Sequence, residues 1–141
     1  MKAVAYRNPG PIDREDALQD VELEKPVAAG SDLLVAVHAV SVNPVDVKLR
    51  KAMAPEGSEW RVLGFDAAGV VEAVGPDVQN FSPGDAVFYA GSIARPGTNS
   101  EFHLVDERIV GRKPASLSDA AAAALPLTAI TAWEMLFDRL D

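Results

Sequence analysis

The segment LGFDAAGVVEAVG, residues 63–75, combines short apolar runs with three glycines, Gly64, Gly69 and Gly75. Glycine lowers the stability of a strand interior, so these positions predict places where the backbone bends or closely approaches another segment. Asp66 lies inside the apolar run, where a carboxylate is costly unless it has a partner or a function. Two interpretations follow for Asp66: an acid at a sheet edge that binds a turn, or part of a functional site.

The composition predicts one globular domain with a hydrophobic core. The chain has 141 residues, 48% of them hydrophobic, and a formal net charge of −8, which argues against nucleic acid or anionic membranes as partners. It has no cysteine, which excludes disulfides, cysteine-ligated zinc, iron–sulfur clusters and thiol nucleophiles. We identify no signal peptide and expect that no segment approaches membrane-spanning length, so the sequence predicts a soluble, cytoplasmic protein.

Short stretches rich in β-branched and aromatic residues, separated by proline and glycine turns, predict a mainly β fold, such as a partly open barrel. The longest, residues 33–42, is apolar on both alternating faces and predicts a strand buried on both sides. With the opening segment, the predicted strands are residues 2–6, 21–23, 33–42, 86–90, 100–105 and 109–110.

Helices are predicted by capping signals. Asn43, followed by Pro44 and Asp46, predicts the start of a short helix, and residues 52–58 then predict a loop. Residues 116–119 predict a capping box before an alanine-rich helix that Pro126 ends.

A second C-terminal helix is predicted by an apolar stripe along residues 127–140. Nothing after this stripe is available to cover it. The helix is therefore expected either to fold back on the barrel or to pack against a part of the protein beyond residue 141, and we favour the second arrangement.

Four segments in this order and spacing resemble the medium-chain dehydrogenase/reductase superfamily, and within it the zinc-independent quinone oxidoreductase branch. They are SVNPVD (41–46), the opening segment, PGDAV (83–87) and LPLTAITAW (125–133). The resemblance implies a GroES-like N-terminal catalytic domain over residues 1–126 and a connecting helix over 127–141. Relatives continue into a Rossmann domain that binds NADPH, but no glycine-rich dinucleotide fingerprint occurs in this sequence.

The resemblance also implies that the site contains no metal. Asn43, Phe65 and Leu127 occupy the positions at which zinc-dependent relatives place ligands, and these side chains do not supply the donors that zinc requires. His38 and His103 lie in separate predicted strands without a nearby third ligand, and each is interpreted as a packed or surface histidine.

Without zinc, the implied chemistry is hydride transfer from NADPH to a quinone or an α,β-unsaturated carbonyl. The candidate catalytic residues are Asn43 and Tyr89, and the candidate cofactor contacts are Asn43, Asp46 and Thr131. Each has a structural alternative: a helix cap for Asn43, a structural acid for Asp46, a bond to the i−4 carbonyl for Thr131, and core packing for Tyr89. Full-length relatives imply a homodimer.

Two other functions remain open from the sequence. One is a zinc-dependent alcohol dehydrogenase with substituted ligands, which metal analysis would identify. The other is a free-standing GroES-like binding module, which a glycine fingerprint encoded downstream of residue 141 would exclude.

Overall fold

The computed structural model describes residues 1–55 and 60–140, so the predicted loop 52–58 lies partly outside the described residues. These residues form a mainly β structure, as predicted. The strands are β1 Lys2–Tyr6, β2 Gln19–Glu22, β3 Asp32–Ser41, β4 Arg61–Val62, β5 Asp66–Val74, β6 Ala86–Ala90, β7 Phe102–Asp106 and β8 Val110–Arg112. The helices are α1 Pro44–Ala52, α2 Asp119–Ala123 and α3 Pro126–Trp133, with a 3-10 turn at Glu107–Ile109 and a π-helical segment at Glu134–Arg139.

The strands form two antiparallel sheets. One sheet has the order β2-β1-β4, and the other has the order β7-β3-β5-β6-β8. Within the described part of the chain neither sheet closes into a complete barrel, which agrees with the predicted partly open architecture.

The opening segment supplies β5, the central strand of the larger sheet. Asp66 pairs with Ser41 of β3 on one side and with Ala90 of β6 on the other. The interpretation of Asp66 as an acid at a sheet edge is therefore wrong, because hydrogen-bonded strands flank β5 on both sides.

Gly69 of β5 marks a close backbone approach, as its position in the sequence predicts. A Cβ atom at this position would lie 2.1 Å from the carbonyl oxygen of Ala36 on β3. The register between β3 and β5 shifts between Val37 and Ala39, which is the irregularity expected of a β-bulge. The glycine lets the two strands meet where the bulge bends β3.

The prediction that β3 is buried on both faces is correct only for its first half. Leu33, Leu34 and Val35 are buried, whereas His38 and Val40 are exposed. Strand β7 pairs with β3 only as far as Ala36, so the second half of β3 is paired with β5 alone. The apolar pattern of the sequence does not record this loss of a neighbouring strand.

The main core lies inside the larger sheet and contains the buried residues Leu33, Val35, Ala67, Val71, Val87, Tyr89 and Val105. A second cluster of Tyr6, Leu49, Leu63 and Phe65 lies between α1, the start of β5 and the smaller sheet. Tyr6 also donates its hydroxyl to the carbonyl of Met53, at 2.7 Å, which holds the end of α1 against β1.

The start of α2 differs from the predicted capping box. Ser118 is the N-cap, and its hydroxyl accepts a bond from the backbone N–H of Ala121 at 3.2 Å. A capping box needs Glu or Gln at the third helical position, which is Ala121 here, so only half of the motif forms. Ala122 and Ala123 are buried against Ala68 and fasten α2 to β5.

The C-terminal helix exposes most of its apolar stripe. Pro126 is the first residue of α3, where its missing N–H costs nothing. The exposed large apolar residues of this region are Leu125, Ile130, Trp133, Met135, Leu136, Phe137 and Leu140.

The described stretch Asp119–Arg139, 21 residues long, is apolar enough to cross a membrane by length and composition alone. The expectation that no segment reaches that length is therefore wrong. One such helix is weak evidence for a membrane, and this one is divided into α2, α3 and the π-helical segment.

Candidate active site at the starts of two helices

Asp66 is the centre of a buried polar cluster that joins two helix starts. The side-chain amide of Asn43, before α1, donates to Oδ2 of Asp66 at 2.8 Å. The backbone N–H of Leu127, in the first turn of α3, donates to Oδ1 of Asp66 at 2.8 Å. Asp66 is 0% exposed, so these two donors replace the water that a carboxylate otherwise binds.

The electrostatic environment of Asp66 opposes its ionisation. Burial raises the pKa of the Asp66 carboxyl above its ordinary value, and the nearby Asp46 carboxylate raises it further. The hydrogen bonds from Asn43 and from the backbone of Leu127 act in the opposite direction, because they stabilise the charged form.

Asp46 uses both carboxylate oxygens within the chain. Oδ2 accepts the backbone N–H of Asn43 at 2.8 Å, and Oδ1 accepts the backbone N–H of Gly64 at 2.9 Å. This acid therefore links the start of α1 to the residues just before β5. These bonds agree with the structural alternative for Asp46, and its role as a cofactor contact stays a prediction.

Gly64 takes a conformation that only glycine adopts readily, with φ of +103°. A Cβ atom here would lie 2.4 Å from Oγ1 of Thr98 and 2.9 Å from the backbone nitrogen of Asn99. Thr98 in turn donates to the backbone carbonyl of Asp66 at 3.2 Å. Gly64 therefore lets the chain turn into β5, which begins at Asp66, while its own N–H binds Asp46.

Thr131 lies one turn beyond Leu127 on the exposed side of α3. Its hydroxyl donates to the carbonyl oxygen of Leu127 at 2.7 Å, which is the structural alternative left open by the sequence. The hydroxyl oxygen keeps lone pairs that can accept a bond from a ligand.

Tyr89 lies apart from this cluster, in the main core, and is 2% exposed. Its hydroxyl is 3.0 Å from Nδ1 of His103, and burial raises the pKa of Tyr89. This position favours the core-packing alternative, and the catalytic role of Tyr89 stays a prediction.

The histidines have separate structural roles. Nε2 of His103 lies 2.9 Å from the carbonyl of Pro96, which can only accept, so Nε2 carries the proton and Nδ1 accepts from Tyr89. His38 pairs with Asp119 at 2.9 Å on the surface. This pair connects β3 to the first residue of α2.

The residues at the positions expected for zinc ligands do not fit a zinc ion. Phe65 and Leu127 belong to the same apolar cluster, and the amide of Asn43 is directed at Asp66 as a donor. In the described ranges 1–55 and 60–140, no group of three or more His, Cys, Asp or Glu side chains could hold a metal.

An open groove of about 840 Å³ lies between β1, β2 and the second half of β3. Its wall includes Val42, the neighbour of Asn43, together with Thr98 and Asn99. None of the four predicted site residues lines it. The sequence patterns that predicted Asn43 and Thr131 give no indication of this groove.

The sequence did not identify two contacts made by residues that it singled out. One is the bond from Leu127 to Asp66, for which the only signal is Pro126, which leaves Leu127 as the first amide donor of α3. The other is the pairing of Tyr89 with His103, which no local pattern indicates.

Comparisons with known proteins agree with the fold. Residues 29–119 match the family described as the alcohol dehydrogenase GroES-like domain. A zinc-type alcohol dehydrogenase-like protein of Staphylococcus aureus is 47% identical over 138 residues, which cover 98% of this chain and 41% of that protein. The chain therefore spans about two fifths of the length of this relative.

Two crystal structures illustrate the range of solved relatives. A Rhizobium etli CFN 42 protein, assigned as a zinc-dependent alcohol dehydrogenase, superposes with a TM-score of 0.95 and is 66% identical, covering 98% of this chain and 40% of that one. The quinone oxidoreductase of Escherichia coli, complexed with NADPH, has a TM-score of 0.86 and 30% identity, covering 97% of this chain and 40% of that one. The chain belongs to the alcohol dehydrogenase GroES-like domain family of the medium-chain dehydrogenase/reductase superfamily.

Proposed function

We propose that this chain is the N-terminal part of an NADPH-dependent oxidoreductase that reduces quinones or α,β-unsaturated carbonyls without zinc. Residues 1–126 form its catalytic domain, and residues 127–141 form the connecting helix toward a cofactor-binding Rossmann domain. The observation that carries the proposal is the bond from the Asn43 amide to Asp66 beside the apolar pair Phe65 and Leu127, at positions where zinc enzymes need metal-binding donors.

NADPH supplies the hydride in this reaction. Hydride addition to the β-carbon of an enone produces an enolate, which takes a proton from solvent to give the saturated carbonyl. A quinone that accepts hydride and a proton becomes a hydroquinone. Conjugation spreads the developing negative charge in both substrates, so no Lewis acid is needed.

The residues of this chain bind and orient the reactants. Asn43 is held on one side by Asp66 and on the other by Asp46, which leaves the start of α1 fixed for contact with cofactor or substrate. The Thr131 hydroxyl donates its hydrogen bond to the carbonyl oxygen of Leu127, so the hydroxyl oxygen is available to accept a bond from the carboxamide of a nicotinamide. Similarity to the NADPH complex of the E. coli enzyme supports this choice of cofactor.

The proposal includes three properties of the complete protein. It is a cytoplasmic homodimer, and the 141-residue chain alone neither binds NADPH tightly nor turns over, because the phosphate-binding domain is not part of it. Calorimetry on this chain should detect no micromolar NADPH binding. Such binding would contradict the assignment of the cofactor site mainly to the other domain.

Metal analysis combined with kinetics tests the proposed function. The complete enzyme should oxidise NADPH in the presence of a quinone or an enone, with full activity after treatment with a chelator. Stoichiometric zinc that is lost together with activity would instead support a zinc-dependent alcohol dehydrogenase with substituted ligands. A downstream coding sequence without a glycine fingerprint in a βαβ unit would support a free-standing binding module.

A further inference from the structure

We propose that Asp66 is a positioning residue that sets the placement of Asn43 relative to Thr131. The inference rests on the proposed function, in which Asn43 contacts cofactor or substrate and Thr131 contacts the cofactor. It adds a third residue, which touches neither cofactor nor substrate and acts through the other two.

The two oxygens of Asp66 have different partners, one from each helix start. Oδ2 accepts from Asn43 Nδ2 and Oδ1 accepts from the Leu127 N–H, both at 2.8 Å. Because both oxygens are engaged and the residue is fully buried, the carboxylate cannot rotate without breaking a bond. One carboxylate thus links the start of α1 to the start of α3 through two hydrogen bonds.

Helix α3 depends on Asp66 for its cap. Its N-cap residue, Leu125, has no side-chain acceptor, and Pro126 has no N–H, so Leu127 carries the first amide of the helix that needs a partner. Asp66 supplies this acceptor from β5, 61 residues away in the chain. A negative charge at this end of a helix is also favoured by the helix dipole.

The connection extends to Thr131 through Leu127. The N–H of Leu127 binds Asp66, and its carbonyl accepts the hydroxyl of Thr131 at 2.7 Å. Two hydrogen bonds therefore separate Thr131 from the carboxylate, and one separates Asn43 from it. Asn43 and Thr131, two of the three candidate cofactor contacts, therefore take their positions from the same carboxylate.

The chemistry of this position requires an acid. Both partners of Asp66 are donors, so its side chain must accept on both sides, and only a carboxylate of this length does so. An asparagine in its place would direct an NH₂ group at one of two donors. Asp66→Asn should therefore break one bond while it preserves shape.

Glu107 provides a matched control elsewhere in the protein. This carboxylate is also buried, and it acts only as a hydrogen-bond acceptor. Its donors are the backbone N–H groups of Gln79 and Asn80 and the side-chain amide of Asn80. It has no bond to Asn43 or Leu127. Glu107→Gln should reproduce the general cost of replacing a buried acid without disturbing the candidate site.

The decisive experiment is NMR on the ¹⁵N-labelled 141-residue chain and its Asp66→Asn and Glu107→Gln variants. In Asp66→Asn, the Leu127 amide should exchange its hydrogen about tenfold faster, or the side-chain amide signals of Asn43 should move, according to which bond is lost. Glu107→Gln should change neither. Unchanged signals at both sites in a folded Asp66→Asn variant would overturn the proposal.

A measurement on the wild-type chain covers the case in which Asp66→Asn does not fold. The Leu127 backbone amide and the Asn43 side-chain amide should shift with pH at one common midpoint, since one carboxyl binds both. Asp46 also faces Asn43, and the Gly64 amide, which binds Asp46 and not Asp66, serves as the reference signal. Different midpoints for the Leu127 and Asn43 signals would refute the proposal.

Neither measurement needs cofactor or turnover. A negative result would leave the proposed reductase activity intact, with Asp66 reduced to a residue that stabilises the core. Absence of NADPH-dependent activity in the complete enzyme would overturn the proposed function and leave the structural effect of Asp66 measurable.

Discussion

Tyr89 and His103 stack with their ring centroids 5.6 Å apart, and the tyrosine hydroxyl lies 3.0 Å from Nδ1 of the histidine. The two residues belong to β6 and β7, which are separated in the sheet by β5 and β3. Contact between strands so far apart in order requires a strongly curved sheet. This contact therefore reflects the curvature that gives the domain its partly open barrel shape.

Acid should destabilise the fold through His103. Burial lowers the pKa of His103 to about 4, below the usual value of about 6.5 in unfolded chains. Between these values the unfolded chain binds a proton that the folded chain does not, so stability falls as pH falls, by up to about 3 kcal/mol. Urea unfolding between pH 7 and about 4 should show this loss.

A His103→Gln variant isolates the histidine from other titrating groups. The raised pKa of Asp66 has the opposite effect on the pH dependence. The folded protein loses stability as pH rises when a buried acid has a raised pKa. The variant should have a flatter pH dependence than the wild type in this window. Parallel curves for the two proteins would contradict the role of His103.

Tyr89→Phe should reduce stability and leave catalysis intact. The change leaves Nδ1 of His103 as a buried acceptor without its donor, which costs about 1–2 kcal/mol. Chemical denaturation of this chain measures the cost, and kcat/KM of the complete enzyme measures catalysis. A large loss of kcat/KM with unchanged stability would instead support the catalytic prediction for Tyr89.

Asn43→Ala should be clearly destabilising. It removes a hydrogen bond to the fully buried Asp66 carboxylate, and such a loss costs about 1.5–3 kcal/mol. Asn8→Ala is the matched control, since Asn8 donates to Asp16 at 3.4 Å on the surface, and it should change stability by less than about 0.5 kcal/mol. Equal effects of the two substitutions would show that burial of the Asp66 pair has no energetic consequence.

Gly64→Ala should cost more than the same change at Gly84. Both glycines have positive φ, +103° and +97°, but a Cβ at Gly84 meets nothing within 4 Å. Gly84→Ala therefore measures only the cost of a side chain at a positive φ, about 1–2 kcal/mol. The contacts of Gly64 with Thr98 and Asn99 should add at least about 1 kcal/mol to that value. Thermal or urea unfolding compares the two variants, and equal costs would mean that the surroundings of Gly64 relax freely.

Thr131→Val and Thr128→Val test the proposed cofactor contact. Both hydroxyls donate to a carbonyl four residues earlier in the chain and both residues are exposed. Each substitution should change stability by less than about 0.5 kcal/mol. In the complete enzyme only Thr131→Val should raise the KM for NADPH. A similar rise in both variants would assign the effect to the helix rather than to the hydroxyl.

Most strands could be predicted from the sequence because β-branched apolar residues between turn signals have few other stable arrangements. Strand β4, Arg61–Val62, could not be predicted, since two residues carry no periodicity and their pairing with β1 depends on the tertiary fold. The same limit explains the second half of β3, where the residue pattern continues although the neighbouring strand ends.

The site could be predicted only in part. The cost of burying a carboxylate singled out Asp66, and the capping pattern singled out Asn43 and Asp46. Their connection could not be predicted, because Asn43 and Leu127 approach Asp66 from 23 and 61 residues away. Tyr89 follows the same alternating pattern whether its hydroxyl faces a substrate or a buried histidine, so its partner could only be found in the structure.

The separations of 23 and 61 residues also bear on the order in which the protein folds. Closing long loops costs entropy before their contacts contribute stability, so such contacts form slowly unless they belong to the nucleus. We expect the hairpin-like pairing of β5 with β6 to form first and the helix starts to join Asp66 afterwards. Substitutions at Asn43 should then speed unfolding and hardly change the folding rate, which would make the candidate site the last part of the domain to assemble and the first to open.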